Sequence, residues 1–220
     1  MTPTVRNTNA RLPRLLRWMG GTAFVVVLWI MVPPFRIVWL DESGQRPQQE
    51  GVAPTFDPIG FVDTFWEEKL MPKLGDATEL DQLLPLLAED PLAAKETFGV
   101  HDSRYYFAKG EGRVEAVEGR RALLSVAGES VSLLIAPPVF GNTVRDGTGL
   151  LSVNDFSGLE AFNAVSALLN EKVETEVMPS LSETLRAGAA VSFTGCAKAP
   201  EAVGDGALLE FIPLQVEVAP

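Results

Sequence analysis

The 220-residue chain is poor in the side chains that most metal proteins and nucleophilic enzymes rely on. It has one cysteine, Cys196, and one histidine, His101. A lone cysteine excludes an internal disulfide. One cysteine with one histidine excludes a Cys/His metal cluster. The carboxylates do not follow the spacing of an EF-hand loop, so no calcium motif replaces it, and neither a metal nor a cofactor is expected. Basic residues are also scarce beyond the first forty positions. That stretch holds Arg6, Arg11, Arg14, Arg17 and Arg36 and no acid, which leaves 13 basic residues against 29 acidic ones, a net of −16. Such a domain repels nucleic acid, because affinity for phosphate backbones comes mainly from cationic neutralisation. It also repels anionic membrane surfaces.

Catalytic patterns are missing in the same way. His101-Asp102-Ser103 are consecutive residues, whereas a triad needs groups that converge in space with distinct roles. Asp102 and Ser103 read as turn residues. Lys109-Gly110-Glu111-Gly112-Arg113 has glycines without the spacing of a phosphate-binding loop. Cys196, in Phe193-Thr194-Gly195-Cys196, reads as a small buried hydrophobe. The expectation is a protein that is not an enzyme.

One long apolar run is present. Trp18 to Val32 carries no charge, arginines precede it, and Pro33-Pro34 follow. A basic stretch before an apolar one is the pattern of a signal anchor. No A-x-A-like cleavage site follows. Positions 1–40 are therefore expected to form a cytoplasmic basic stretch and a single transmembrane helix, with the rest outside the cytoplasmic membrane. Positions 41–56 are polar and rich in Gly, Pro and Gln, and read as a linker.

Positions 57–100 read as a helical subregion. Asp57-Pro58 opens a helix carrying Phe61, Phe65, Trp66 and Leu70, with Pro72 as its stop. Asp76-Ala77-Thr78-Glu79 predicts a capping box for a second helix through Leu87. Asp90-Pro91 predicts a third, ending at Gly99. Positions 101–220 change to strands. The pattern predicts a long strand from Tyr105 to Val117 bent at glycines, then a hairpin of 122–126 and 131–135 turning at Gly128. Ser157-Gly158-Leu159-Glu160 predicts the capped start of a helix presenting Leu159, Phe162, Val165, Leu168 and Leu169. A short helix at 181–186 and strands at 190–196 and 208–218 complete the chain. The fold class is α+β. Three strands, a helix and two strands is the order of an OB-like five-stranded β-barrel with a helix between strands 3 and 4.

Several segments carry a resemblance across the region from Ile37 to Val218. They are Phe56-Asp57-Pro58 with Trp66-Glu67, then Tyr106-Phe107-Ala108-Lys109-Gly110-Glu111-Gly112, then Gly141-Asn142-Thr143-Val144-Arg145-Asp146. Asn154-Asp155-Phe156 leads to Phe162, Val165 and Asn170, and Val191–Gly195 and Ile212–Val218 close the series. In this order they resemble a family of predicted periplasmic lipoproteins of unknown function, often encoded beside sugar ABC-transporter components. The resemblance implies an extracytoplasmic accessory protein whose partners are the membrane and sugar-uptake components. It also implies a lipid-bearing cysteine just before the segment matching Arg36-Ile37-Val38. Phe35 stands there in this chain, so no lipid is expected at that position. Arg145, Asp146, Asn154 and Asp155 are the candidate ligand- or partner-binding residues. A sugar held near Arg145 and Asp155 is one reading. The other is structural, with Arg145 paired to Asp146 or Asp155 and Asn154 and Asp155 capping turns. An unrecognised hydrolase is a third.

Overall fold

A computed structural model describes residues 56–179, 181–200 and 208–219. The expected transmembrane helix and the linker up to position 55 lie outside the described residues. Among those described, no helix is long and apolar enough to cross a membrane.

Asp57 caps the first helix, α1 (Pro58–Thr64), by accepting from the Ile59 N–H at 3.1 Å. Pro72 does not stop the helical run, contrary to the sequence expectation. The backbone widens into a π turn at Phe65–Leu70 and then tightens into a 3-10 turn at Met71–Asp76, so the hydrogen-bonding pattern changes around Pro72 instead of ending there. The predicted capping box at 76–79 is also absent. Thr78–Glu79 instead form a two-residue strand, β1, parallel to Ala108–Lys109, and α2 (Leu80–Glu89) begins after it with no side-chain cap. The pairing with a neighbouring strand satisfies the backbone that a cap would have served. The third helix, α3 (Pro91–Phe98), starts as expected: Asp90 accepts from the N–H groups of Leu92 and Ala93. The short strand β2 (Gly99–Val100) follows.

The long strand β3 (Tyr105–Glu118) organises the rest. Its first part pairs with β6 (Ala190–Lys198) and its last part with β4 (Arg121–Val126), with the register shifting between Val114 and Ala116. β4 pairs with β5 (Glu129–Leu134) across a turn in which Ala127 and Gly128 both have positive φ, as a two-residue hairpin requires. β5 meets β7 (Glu210–Val218) in parallel, and β7 pairs antiparallel with β6. Among themselves, each of the five long strands therefore has two partners, and the pairing returns to its start. Pro213 is tolerated in β7 at the register shift opposite Gly195, where the ladder loses a bond in any case.

Between β5 and β6 lie α4 (Thr143–Gly147), a 3-10 turn at Val153–Asp155, α5 (Leu159–Lys172) with a π turn at Val173–Val177, and α6 (Leu181–Thr184). α5 has Gly158 at its cap position with no side-chain cap bond, so the box predicted at 157–160 does not form. The reciprocal box forms earlier, between Ser152 and Asp155. Leu159 is exposed rather than part of the buried face, which is Phe162, Val165, Ser166, Leu169 and Asn170. Leu159 is the first residue of the helix, where the face has not yet met the sheet.

Alternate residues along the strands point to opposite sides. Tyr106, Ala108, Val114, Leu133, Phe193 and Phe211 enter one apolar cluster, which Leu80, Leu83, Leu181 and Leu185 join from the helices. Phe107, Leu134, Cys196, Ile212 and Leu214 enter a second, where Trp66, Leu70, Phe162, Val165 and Leu169 cover them. Among the helices of 57–100, Val62 of α1 and Phe65, Trp66 and Leu70 of its π extension share this second cluster with the strand residues.

Candidate functional site

The loop before α4 and the polar side of α5 face each other. Three contacts clip the loop down. Ser166 Oγ and Asn170 Nδ2 both donate to the Gly141 carbonyl, at 3.0 and 2.9 Å, and the Val139 N–H donates to Glu174 Oε1 at 2.6 Å. A groove of about 620 Å³ runs between the two elements. Phe140, Asn142 and Arg145 line one side, and Asn163, Ser166, Asn170, Glu171 and Glu174 line the other. Phe140 stands at its rim with 74% of its surface exposed.

Arg145 forms the inner wall and is almost wholly engaged. Its Nε donates to Asp146 Oδ1 at 2.6 Å and its Nη2 to Asp146 Oδ2 at 3.0 Å, a side-on fork between two buried residues. Nη1 donates to the Phe162 carbonyl at 3.3 Å and to Asn163 Oδ1 at 3.2 Å, and the guanidinium lies 3.6 Å from the Phe162 ring centroid. Asn142 Nδ2 also donates to Asp146 Oδ2, the oxygen that Nη2 meets. A planar guanidinium suits this setting, because it can fork onto a carboxylate and stack on a ring together. The short helix α4 must lie against β6 for this to happen. Gly147 permits it: a Cβ there would sit 2.7 Å from Cβ of Cys196. From Phe162 a chain of ring contacts continues through Phe156 to Phe61 and Phe56, with centroids 5.2 to 5.6 Å apart.

The structure brings together two of the four sequence candidates. Arg145 pairs with Asp146, not with Asp155. Asn154 and Asp155 lie in the exposed 3-10 turn and do not line the groove. There Asp155 Oδ2 accepts from the Ser152 N–H at 2.9 Å and Ser152 Oγ accepts from the Asn154 N–H at 3.3 Å. Their geometry is that of a turn cap. Asn163, Ser166, Asn170, Glu171 and Glu174 were not singled out from the sequence as site residues. Their signal was present: polar residues at positions 163, 166, 170 and 174 follow helical spacing on a helix whose other side is apolar.

The two groups most suggestive of chemistry lie elsewhere. Cys196 is fully buried in β6 against α4, and burial pushes its thiol well above the usual range. It is buried as expected, and therefore unsuited to carry a lipid or to act as a nucleophile. His101 is exposed in a turn where His101, Asp102 and Ser103 all have positive φ, and its ring neighbours Tyr105. Among the described residues, no group of three or more His, Cys, Asp or Glu side chains is placed to hold a metal ion.

No curated protein matches the chain. Among solved structures, an OB-fold protein from Thermotoga maritima matches with a TM-score of 0.66 and 24% identity, covering 76% of this chain and all of that one. This likeness establishes the fold, and the strand pairing described above agrees with it. A family model described as predicted periplasmic lipoprotein (DUF2291) matches residues 24–217. That match runs from the N-terminal apolar segment through β7, and the chain belongs to this family of predicted periplasmic lipoproteins.

Proposed function

We propose that the protein is a non-enzymatic accessory component of the cell envelope. Its N-terminal apolar segment crosses the cytoplasmic membrane once, its OB-like domain lies in the periplasm, and the domain works by binding through the groove beside Arg145. One observation supports binding at this place above others. The groove's polar wall is held in position by the contacts of Ser166 and Asn170 with Gly141 and of Glu174 with Val139. A wall ordered before its partner arrives loses little conformational entropy on binding. The family's extracytoplasmic character agrees with this location. With Phe35 where a lipid-bearing cysteine would stand, the apolar helix itself supplies the attachment.

The partner we propose is an ABC-type sugar-uptake system, a reading supported by the sequence resemblance. Affinity purification of the full chain from detergent-solubilised membranes should recover transporter subunits or their substrate-binding protein. A Phe140→Asp variant, altered only at the exposed rim, should recover much less. Failure of the unaltered chain to recover any uptake component, in cells expressing one, would overturn the partner assignment.

A further inference from the structure

The groove's unused hydrogen-bonding and charge are not balanced, and the imbalance says what kind of molecule fits. Among the described residues, Arg145 is the one cation that lines it, and Asp146 neutralises that charge in place. Glu171 and Glu174 border the same groove, and no ion pair among the described residues involves either of them. Lys172, between them in sequence, is turned away: its ammonium lies 2.9 Å from Asp63 Oδ1 and 2.7 Å from Glu176 Oε1. At the groove's base, Asn170 is 8% exposed and its Oδ1 has no hydrogen-bond partner among the described residues. The amide orientation is set by chemistry, since the Gly141 carbonyl can only accept and so must face Nδ2. A buried acceptor without a donor is costly, and most such atoms in folded proteins are satisfied. At the rim stands the exposed ring of Phe140.

Two carboxylates outside any ion pair among the described residues, one unsatisfied amide oxygen and one exposed aromatic ring all favour the same group. We propose that the groove binds a small organic amine through its primary ammonium. The ammonium meets Glu171 and Glu174, one N–H reaches Asn170 Oδ1 as the lining side chains part to admit it, and the chain of the amine passes Phe140. An ammonium has three donors and no acceptor, which matches an acceptor-rich site. Carboxylates and an aromatic face both attract it. The inference rests on the reading of this groove as the binding site and adds the class of ligand.

The test is calorimetric titration of the full chain in detergent with 1,4-diaminobutane, at low salt so that screening does not hide the charge contribution. The neutral match in length is 1,4-butanediol, and ribose serves as the neutral sugar. The diamine should bind and the two neutral probes should not. Glu171→Gln with Glu174→Gln should weaken the diamine at least tenfold. The amide that replaces the Glu174 carboxylate keeps an oxygen for the Val139 N–H, so the loop stays clipped. Glu67→Gln with Glu68→Gln, an equal charge change at exposed sites on the first helical run, should leave affinity within twofold. Equal weakening by both double variants would reduce the effect to general acidity and overturn the site. Ribose or butanediol binding as well as the diamine would overturn the ammonium while the groove survives. If the diamine fails to bind but uptake components are still recovered with the chain, the ligand class alone falls. If both fail, the groove reading falls with it.

Discussion

The two apolar clusters are built from opposite faces of the same strands, yet they are different kinds of interior. The cluster of Tyr106, Leu133, Phe193 and Phe211 is closed by leucines from α2 and the segment around α6, and the buried charged side chains among the described residues, Arg145 and Asp146, both lie in α4, away from these closing segments. The cluster of Phe107, Cys196, Ile212 and Phe162 lies under α1, α4 and α5, and the buried Arg145–Asp146 pair stacks on its Phe162 edge. The first is held by packing alone. The second adds a desolvated ion pair within α4, whose Arg145 also donates to the Phe162 carbonyl and to Asn163 Oδ1 and so ties α4 to α5 beside the groove. A ring of strands supplies two faces, and helices cover both; the groove lies on the second, where the loop before α4 meets the polar residues of α5.

This contrast breaks most directly at Phe211. It is fully buried, with Phe193 at 5.5 Å between ring centroids. Phe211→Ala should cost about 3–5 kcal/mol, the range for deleting a buried aromatic. Urea denaturation measures it; a loss below about 1 kcal/mol would mean that this cluster does not carry the ring's stability, against the usual behaviour of such sites.

Arg145 sharpens the contrast from the other side. Arg145→Ala leaves Asp146 buried with only Asn142 to donate to it, and should cost about 3 kcal/mol, as breaking a buried pair does. Replacing both, Arg145→Met with Asp146→Leu, should recover most of that loss, because no uncompensated charge remains. A double variant as unstable as the single one would show that the contact of Arg145 with the Phe162 carbonyl and ring, rather than charge pairing, holds α4 in place. Phe211 admits no such rescue, since nothing polar is stranded when it is truncated.

The first cluster and the ring were largely legible in the sequence. Short β-branched and leucine-rich runs separated by turn signals marked β4 and β5, and Ala127-Gly128 lay where the hairpin turns. The glycines of β3 marked the strand that serves two partners. The helix ends were less legible. Thr78-Glu79 has the composition of a cap and is a strand because Ala108–Lys109 offers it a backbone partner, a long-range fact with no local signature. Leu159 fits the apolar face by period but lies beyond the sheet's reach. The site divides in the same way. Arg145 and Asp146 are marked by the family resemblance, in the segment from Gly141 to Asp146. The resemblance marks Asn154 and Asp155 equally, and the structure places them in a capped turn away from the groove; residue type does not distinguish a cap from a ligand contact. The polar stripe of α5 was visible as spacing, but its meaning depends on which loop folds over it.

The smallest expected effect concerns pH and the wall between the two clusters. Cys196 is buried in β6, so desolvation raises its thiol from the ordinary 9.0 in the folded state. Below pH 9 the thiol is protonated whether the chain is folded or not, and it contributes nothing to pH dependence. Above pH 9 the unfolded chain releases the proton and the folded chain retains it, so stability falls as pH rises, by at most about 1.4 kcal/mol per unit for one group. The Tyr106 phenol, also raised by burial from 10.0, adds a decline of the same sign that begins one unit later. Between pH 9 and 10 the slope should therefore belong mainly to Cys196. Cys196→Ala should flatten it, whatever the substitution costs at neutral pH, while Tyr106→Phe should leave that interval unchanged and lessen the decline only above 10, where the Lys172 ammonium, raised by its bonds to Glu176 and Asp63, adds a fall of the same sign. Urea midpoints taken at half-unit steps decide the matter. An unaltered slope between 9 and 10 in Cys196→Ala would mean that water reaches the thiol, and hence that α4 and Gly147 do not seal the second cluster as tightly as the leucines seal the first.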